Sequence, residues 1–250
     1  MANATTMTTT KPLAMREYRE THCADCALHL VCLPPCVSEK ELPQLDAIIE
    51  RGRPLARNAI LFRQGQTFDQ VFAVRSGAIK TTVLLHNGEE QITGFYLPGE
   101  IIGLDSIGNS RYENTAYALE TTSVCAIPYV DLQSLGRILP SLQDFLFSLM
   151  GNEIRKGQQV LVAISKYSAE ERVAMFLLSL AARYKRRHLS EDQFRLPMSR
   201  SDIGNYLGLA LETTSRVFTQ LQHAGVLDVR GKEIQVLDRG YLCRLIEIDA

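Results

Sequence analysis

The chain offers little to a membrane, to an export machinery or to an enzyme. Its longest apolar run, Val173 to Ala182, contains a serine and is far too short to cross a bilayer, which takes roughly 20 apolar residues. The first ten residues are rich in threonine and have no apolar core, so they do not read as a secretory signal. Residues 1 to about 15 are expected to form a disordered tail. Without export the compartment is the reducing cytoplasm, where disulfides are a poor account of cysteines. No Gly-rich phosphate loop, nucleophile elbow or His-x3-His pair is present, and the five histidines are scattered; an enzyme is not expected. The formal net charge is −1, which excludes a globally basic nucleic-acid coat but leaves room for a local basic face. With 250 residues, 46 % of them hydrophobic, the chain can furnish two domains, each with a core.

What is present is concentrated. Cys23, Cys26, Cys32 and Cys36, four of the six cysteines, fall in the order Cys-x2-Cys-x5-Cys-x3-Cys. In a reducing compartment such density points to metal binding or redox sensing. Thiolates are soft ligands that suit zinc or iron–sulfur centres, and four of them can hold a [4Fe–4S] cluster. A zinc ribbon more often shows two Cys-x2-Cys knuckles, and this chain has one. Pro34-Pro35 stiffens the link between Cys32 and Cys36, which argues against both joining one small site. Cys125, between Val124 and Ala126, reads by itself as a buried small hydrophobe. Cys243 reads as a packing or surface cysteine. His22 and His29 flank the cysteines and are expected to be partly exposed and structural. Leu28, Leu30, Val31 and Leu33 are expected to screen the metal from solvent.

Residues 55 to 130 read as short strands separated by turns at Gly65, Gly77, Gly88, Gly94 and Gly99, the pattern of an antiparallel roll. His86-Asn87-Gly88-Glu89 reads as a hairpin tip. A proline-free helix follows over 142–164. Its Phe147, Met150, Ile154, Gly157, Leu161 and Ile164 are spaced 3, 4, 3, 4, 3, a coiled-coil seam that predicts a homodimer. Ser168-Ala-Glu-Glu171 reads as a capping box opening a new helix, which makes Tyr167-Ser168 a hinge. Residues 183 to 232 carry nine Lys/Arg against five Asp/Glu. The run Arg183, Lys185, Arg186, Arg187 suits either the end of a helix dipole or phosphate contact.

Residues 199 to 224 read as a helix-turn-helix. Ser199 and Asp202 cap the first helix, and Ile203, Tyr206 and Leu207 give its buried face. Gly208 turns the chain, and Leu209 and Leu211 plug the angle. A second helix starts near Glu212, with Val217, Phe218 and Leu221 inward. Glu212, Ser215 and Arg216 share its exposed face near the N-terminus, the end that reaches base edges in this docking mode. Glu212 and Arg216 are also spaced for an i,i+4 ion pair. Val226 to Val229, a Gly231-Lys232 turn and Ile234 to Val236 complete a small wing.

These stretches together resemble the FNR branch of the cyclic-AMP receptor protein superfamily, the oxygen-responsive regulators of fumarate and nitrate reduction. The resemblance spans about residues 20 to 240 and rests on Cys23-Ala-Asp-Cys26 with Cys32, Arg75-Ser-Gly-Ala-Ile-Lys80, Glu90-Gln-Ile-Thr-Gly-Phe95, Asp202-Ile-Gly-Asn-Tyr-Leu-Gly-Leu209 and the Glu212-x-x-Ser215-Arg216 reading head. It implies an α+β chain: a cysteine-bearing arm (1–38), a sensory roll of the cyclic-nucleotide-binding jelly-roll type (39–141), a dimerisation helix (142–166) and a winged helix-turn-helix (167–250). It also implies a [4Fe–4S] cluster on Cys23, Cys26, Cys32 and Cys125, binding of palindromic TTGAT-N4-ATCAA-type DNA by the anaerobic dimer, and loss of the dimer when oxygen converts the cluster. Cys36 departs from that pattern and becomes a bystander. Closing the loop from Cys32 to Cys125 in an unfolded chain costs roughly 4 kcal/mol beyond a constant, so the centre is expected to assemble on a folded roll. The Asn87-Gly88-Glu89 tip is expected to touch RNA polymerase. Pro98-Gly-Glu-Ile-Ile-Gly103 resembles the start of a cyclic-nucleotide phosphate cassette. Its Arg-bearing run is here Asn114-Thr115-Ala116, and asparagine lacks the charged fork a cyclic phosphate wants; no cyclic nucleotide is expected.

Overall fold

A computed structural model describes residues 22–32 and 37–246. The expected tail, Leu33, Pro34-Pro35 and Cys36 lie outside the described residues, as does the side chain of Leu30. The arm is a 3-10 turn over Cys23–Asp25 and one helical turn, α1 (His29–Cys32). It leads to α2 (Leu42–Ala47), whose Leu45 plugs the underside of the roll.

The roll consists of two four-stranded antiparallel sheets. One is built from β1 (Glu50–Arg51), β8 (Ser123–Pro128), β3 (Gln70–Ser76) and β6 (Ile101–Ile102), in that order. The other is built from β2 (Ile60–Phe62), β7 (Thr115–Ala118), β4 (Ile79–Leu84) and β5 (Glu90–Tyr96). Phe62, Ile79, Ala116 and Ala118 of the second sheet meet Phe72, Val74 and Ile102 of the first in one core, and burial of these apolar faces is what holds the sheets together. Gly88 sits at the β4–β5 hairpin tip with φ +85°. Gly94 is a correction: it makes no turn but lies inside β5. There the β4–β5 register slips between Thr81↔Gly94 and Thr82↔Ile92, so the glycine marks a bulge, the other local structure glycine favours in strands.

A helix not foreseen from the sequence, α3 (Tyr129–Ile138), precedes α4 (Pro140–Lys166). The long helix starts at Pro140 rather than Leu142, because proline suits the first helical position, where its missing N–H has no partner to lose. Leu142, Leu146 and Leu149 of α4 pack with Leu132, Leu135 and Leu139. On the other side Phe147, Ile154 and Leu161 stand 58 %, 63 % and 66 % exposed. Beyond the Tyr167 hinge, Ser168 and Glu171 form a reciprocal capping box that opens α5 (Ala169–Lys185). Arg172 clamps the junction by donating to the carbonyls of Ile164, Tyr167 and Leu207 at 2.8, 2.9 and 3.1 Å.

The C-terminal unit contains α6 (Arg200–Leu207) and α7 (Leu211–His223), with a three-stranded wing of β10 (Leu227–Arg230), β11 (Glu233–Val236) and β9 (Gln193–Arg195), and α8 (Arg239–Leu245) at its back. Ser199 and Asp202 cap α6 reciprocally, and Gly208 ends it in the left-handed region. Gly204 permits the tight crossing of α6 and α7: a β-carbon there would stand 2.7 Å from the Leu209 carbonyl and 2.8 Å from Thr214 Oγ1. Leu209 packs on the core, but Leu211 does not plug the angle. As the first residue of α7 it precedes the inward stripe and is 52 % exposed.

This unit is docked on the roll. Phe95 of β5 stacks edge-on against Tyr206 at 5.2 Å. Asn205 donates to the Glu90 carbonyl at 2.8 Å and accepts from the Ile92 N–H at 2.6 Å, so α6 covers the free edge of the second sheet. Lys80 pairs with Asp202 at 2.6 Å.

Candidate metal centre and nucleic-acid interface

Three cysteines of the arm and one of the roll line a single cavity. Cys23 opens the 3-10 turn, Cys26 follows that turn, Cys32 closes α1, and Cys125 lies mid-strand in β8. The antiparallel register places Cys125 between Arg51 of β1 and Ala73 of β3, so its position is fixed by two neighbouring strands. The cavity measures about 60 Å3, and its other walls include Leu28, His29, Val71, Leu132 and the α4 residues Leu142, Leu146 and Leu149. That is space for several water-sized groups, ringed by apolar carbon and four sulfurs.

Burial and neighbouring charge set the electrostatics of these sulfurs. Burial pushes the Cys23 and Cys32 thiols up to about 12, with Asp46 adding to the rise at Cys23 and the neighbouring sulfurs of Cys125 and Cys26 adding to it at Cys32. Burial also raises Cys125, against the pull of Arg51 and Arg75. A metal must therefore displace protons on entry. The donors fit a thiolate-held cluster: four soft ligands around a dry, roomy space. Among the described residues no group of three or more His, Cys, Asp or Glu side chains is gathered as a ready single-ion site.

Sequence reasoning missed the support behind the sulfurs. Asp46 accepts from the Cys23 N–H at 2.8 Å and from His22 Nδ1 at 2.6 Å, and it pairs with Arg51. Arg51 Nη2 in turn donates to Cys23 Sγ at 3.4 Å. Burial opposes ionisation of Asp46, but these donors outweigh it and hold the carboxyl well below the usual range. Only an acid beside Leu45, Ile48 and Ile49 hinted at this in the sequence. Of the expected screens, Leu28 lines the cavity. Val31 does not: it packs on the Gly99 turn, where a β-carbon would meet its Cγ1 at 2.8 Å. His22 is exposed on Asp46, and His29 hydrogen-bonds the Cys26 carbonyl at 3.1 Å. Cys243 is buried in α8, remote in the fold from the four sulfurs.

On α7, Val217, Phe218 and Leu221 are buried while Glu212, Ser215 and Arg216 are exposed together. Among the described residues Glu212 and Arg216 form no ion pair with each other, so both polar ends are presented outward. The basic run at the end of α5 divides. Arg183 turns into the roll, donating to Glu100 and to the Phe95 carbonyl at 2.6 Å. Arg187 lies over the Tyr184 ring at 4.2 Å. Lys185 pairs with Glu191 at 3.0 Å, so a phosphate-contact role is left chiefly to Arg186, which is exposed. In the cassette region, Asn114 is engaged by Asp105 and by Thr93 at 2.9 Å, and Arg111 by the Gly65 carbonyl at 2.6 Å. Gly157 and Ile164 are exposed with the other seam residues, and Met150 is half-buried. No described helix is long and apolar enough to cross a membrane.

Residues 52–137 match the cyclic nucleotide-binding domain family, and residues 171–245 match the Crp-like helix-turn-helix domain. The chain is 51 % identical over 233 residues to the transcriptional activator protein FnrA of Stutzerimonas stutzeri, covering 93 % of this chain and 96 % of that protein. It is 42 % identical over 224 residues to the fumarate and nitrate reduction regulatory protein of Escherichia coli K12, covering 90 % of each. The structure of FixK2 from Bradyrhizobium japonicum superposes with a TM-score of 0.74 at 30 % identity, over 81 % of this chain and all of that one. The chain belongs to the FNR-type transcription regulators of the CRP/FNR family, DNA-binding proteins and not enzymes.

Proposed function

We propose that this regulator senses oxygen through a [4Fe–4S] cluster held by Cys23, Cys26, Cys32 and Cys125, and that the anaerobic homodimer binds palindromic TTGAT-N4-ATCAA-type sites to activate or repress genes of anaerobic metabolism. One observation carries the reading: three arm sulfurs and one roll sulfur share a cavity whose opposite wall is α4. The cluster, when bound, supplies an oxygen-labile group whose conversion is the signal.

The chain's own residues do the rest. The arm thiols and Cys125 bind across two elements, so full ligation requires the arm to lie on the roll. Leu142, Leu146 and Leu149 seat α4 against that site. The seam Phe147, Met150, Ile154, Gly157, Leu161 and Ile164 then pairs with a second copy. Pairing sets two α7 helices about one DNA turn apart, roughly 34 Å, for two half-sites. This is a two-state element biased by what the sulfurs hold. In this reading the exposed hairpin tip Asn87-Gly88-Glu89 meets RNA polymerase in the cytoplasm.

The test is anaerobic purification with iron, sulfide and zinc assays on wild type, Cys36→Ser and Cys125→Ser, followed by sedimentation before and after air. Iron and inorganic sulfide in near-equal amounts, lost in Cys125→Ser and kept in Cys36→Ser, with a dimer that dissociates in air, support the reading. Zinc without sulfide, or a dimer indifferent to air, overturns it.

A further inference from the structure

Arg51 is largely buried against Cys23 and opposite Cys125 without being one of the sulfur ligands. It stands directly across from Cys125 in the β1–β8 register, so the two side chains leave the same face of the sheet. Its Nη2 reaches Cys23 Sγ at 3.4 Å and pairs with Asp46. Asp46 in turn holds the backbone N–H of Cys23 at 2.8 Å. Arg51 thereby touches the arm while rooted in the roll, the two parts the sulfur set must join.

A second observation concerns charge. Arg51 Nε is buried and has no hydrogen-bond partner among the described residues. A buried guanidinium with a donor to spare is costly unless negative charge lies near. Its one carboxylate partner among the described residues, Asp46, is shared with His22 and Cys23. Four thiolates around an iron–sulfur core carry net negative charge, and charge and hydrogen bonds to sulfur set the potential of such centres.

We propose that Arg51, braced by Asp46, is a positioning residue that ties Cys23 of the arm to Cys125 of the roll and offsets the negative charge of the filled four-sulfur centre. This rests on the reading of Cys23 and Cys125 as joint ligands. A cation beside the centre stabilises its reduced form, so removing it makes oxidation easier. Lysine keeps the charge but lacks the planar fork that serves Asp46 and Cys23 at once.

The experiment uses full-length Arg51→Lys and Arg51→Met, reconstituted anaerobically with iron and sulfide. It reads the midpoint potential of the loaded fraction and the decay of visible absorbance in air. Arg51→Met is expected to shift the potential downward and to speed decay by about tenfold, with Arg51→Lys between it and wild type. Lower iron content with an unchanged potential and decay rate in the loaded fraction marks a merely structural role and overturns the proposal. Where Arg51→Met does not fold, Arg51→Lys decides by the same readouts. Should wild type take zinc alone, the functional reading falls separately. Chelator competition for that zinc then decides the present inference: about tenfold weaker retention in Arg51→Lys sustains it, and equal retention overturns it.

Discussion

Leu146 and Phe147 are neighbours in the chain and face opposite ways on α4. Leu146 lines the cavity that holds the four sulfurs, and Phe147 stands 58 % exposed on the seam. Leu142 and Leu149 share the face of Leu146, while Ile154 and Leu161 continue that of Phe147. In the proposed mechanism no lever is needed between the sulfur cavity and the seam, because both are sides of one helix. Close-packed interiors shift as units rather than deform smoothly, so a change in the cavity is felt as a displacement of the whole α4 stripe.

The seam gives the first prediction. Ile154→Lys replaces a residue that is 63 % exposed in the single chain, so its effect on the fold should stay within about 0.5 kcal/mol. Burying isoleucine is worth about 1.5–3 kcal/mol, and a symmetric dimer loses it twice. Sedimentation should show self-association weakened by at least about a hundredfold, with the urea midpoint nearly unchanged.

Leu142 tests the opposite face. It is 2 % exposed and lines the thiol cavity. Leu142→Ala should destabilise the chain by about 2–5 kcal/mol and weaken the dimer although it lies off the seam. Equilibrium unfolding and sedimentation of the same sample check both parts. A destabilised chain that still dimerises at full strength would separate cavity from seam.

What was legible in the sequence was mostly local. Ser199 and Asp202, three residues apart, announced the start of α6, and Gly208 its end, because caps and left-handed turns depend on near neighbours. The apolar stripe of α4 is legible because periodicity is a local property, and the structure leaves Phe147, Ile154 and Leu161 of that stripe exposed. Gly94 misled because glycine serves turns and bulges alike. The strand Gln193-Phe194-Arg195 was missed because three residues carry no period, and its partner Glu233 to Gln235 lies far along the chain. Arg183 reads equally as a helix-end charge or a phosphate contact, because composition does not reveal that it turns toward Glu100. The Asp46–Arg51–Cys23 network is hidden for the same reason: Cys23 lies 23 residues from Asp46 and 28 from Arg51, and meets them only in the fold.

The Arg183–Glu100 pair makes domain docking sensitive to acid. Burial disfavours the Glu100 carboxylate, but the Arg183 guanidinium outweighs it and holds the group below its usual range. The unfolded chain, with glutamate near 4.3, therefore takes up its proton first as pH falls. The stabilisation is complete above that value and is lost as pH falls through the lower, folded one. Asp202, held down by Lys80 and Ser199 against burial, acts in the same direction. At pH 7, Glu100→Gln should cost about 3–5 kcal/mol, since it strands a buried Arg183. Urea midpoints from pH 7 to pH 3 should show wild type and variant converging as the pH falls. A constant gap would mean that Glu100 acts by shape alone.

The proposed reading of DNA by α7 rests on Arg216. It is exposed beside Glu212 and Ser215 near the N-terminus of the helix, and no described acidic side chain claims its guanidinium. A free fork can donate two bonds to guanine O6 and N7. Arg216→Ala should then cost about 1–3 kcal/mol on the specific site and relax the preference at one base pair, leaving the salt dependence nearly as it was. A phosphate contact behaves differently: affinity falls on every sequence alike, and the slope against log salt drops by about one. Binding isotherms on the palindrome, on a single-base variant and on unrelated DNA, each at several salt concentrations, separate the two. Because Val217 and Phe218 bury the opposite face of the same helix, truncating Arg216 should leave the fold intact, and the loss can be assigned to recognition.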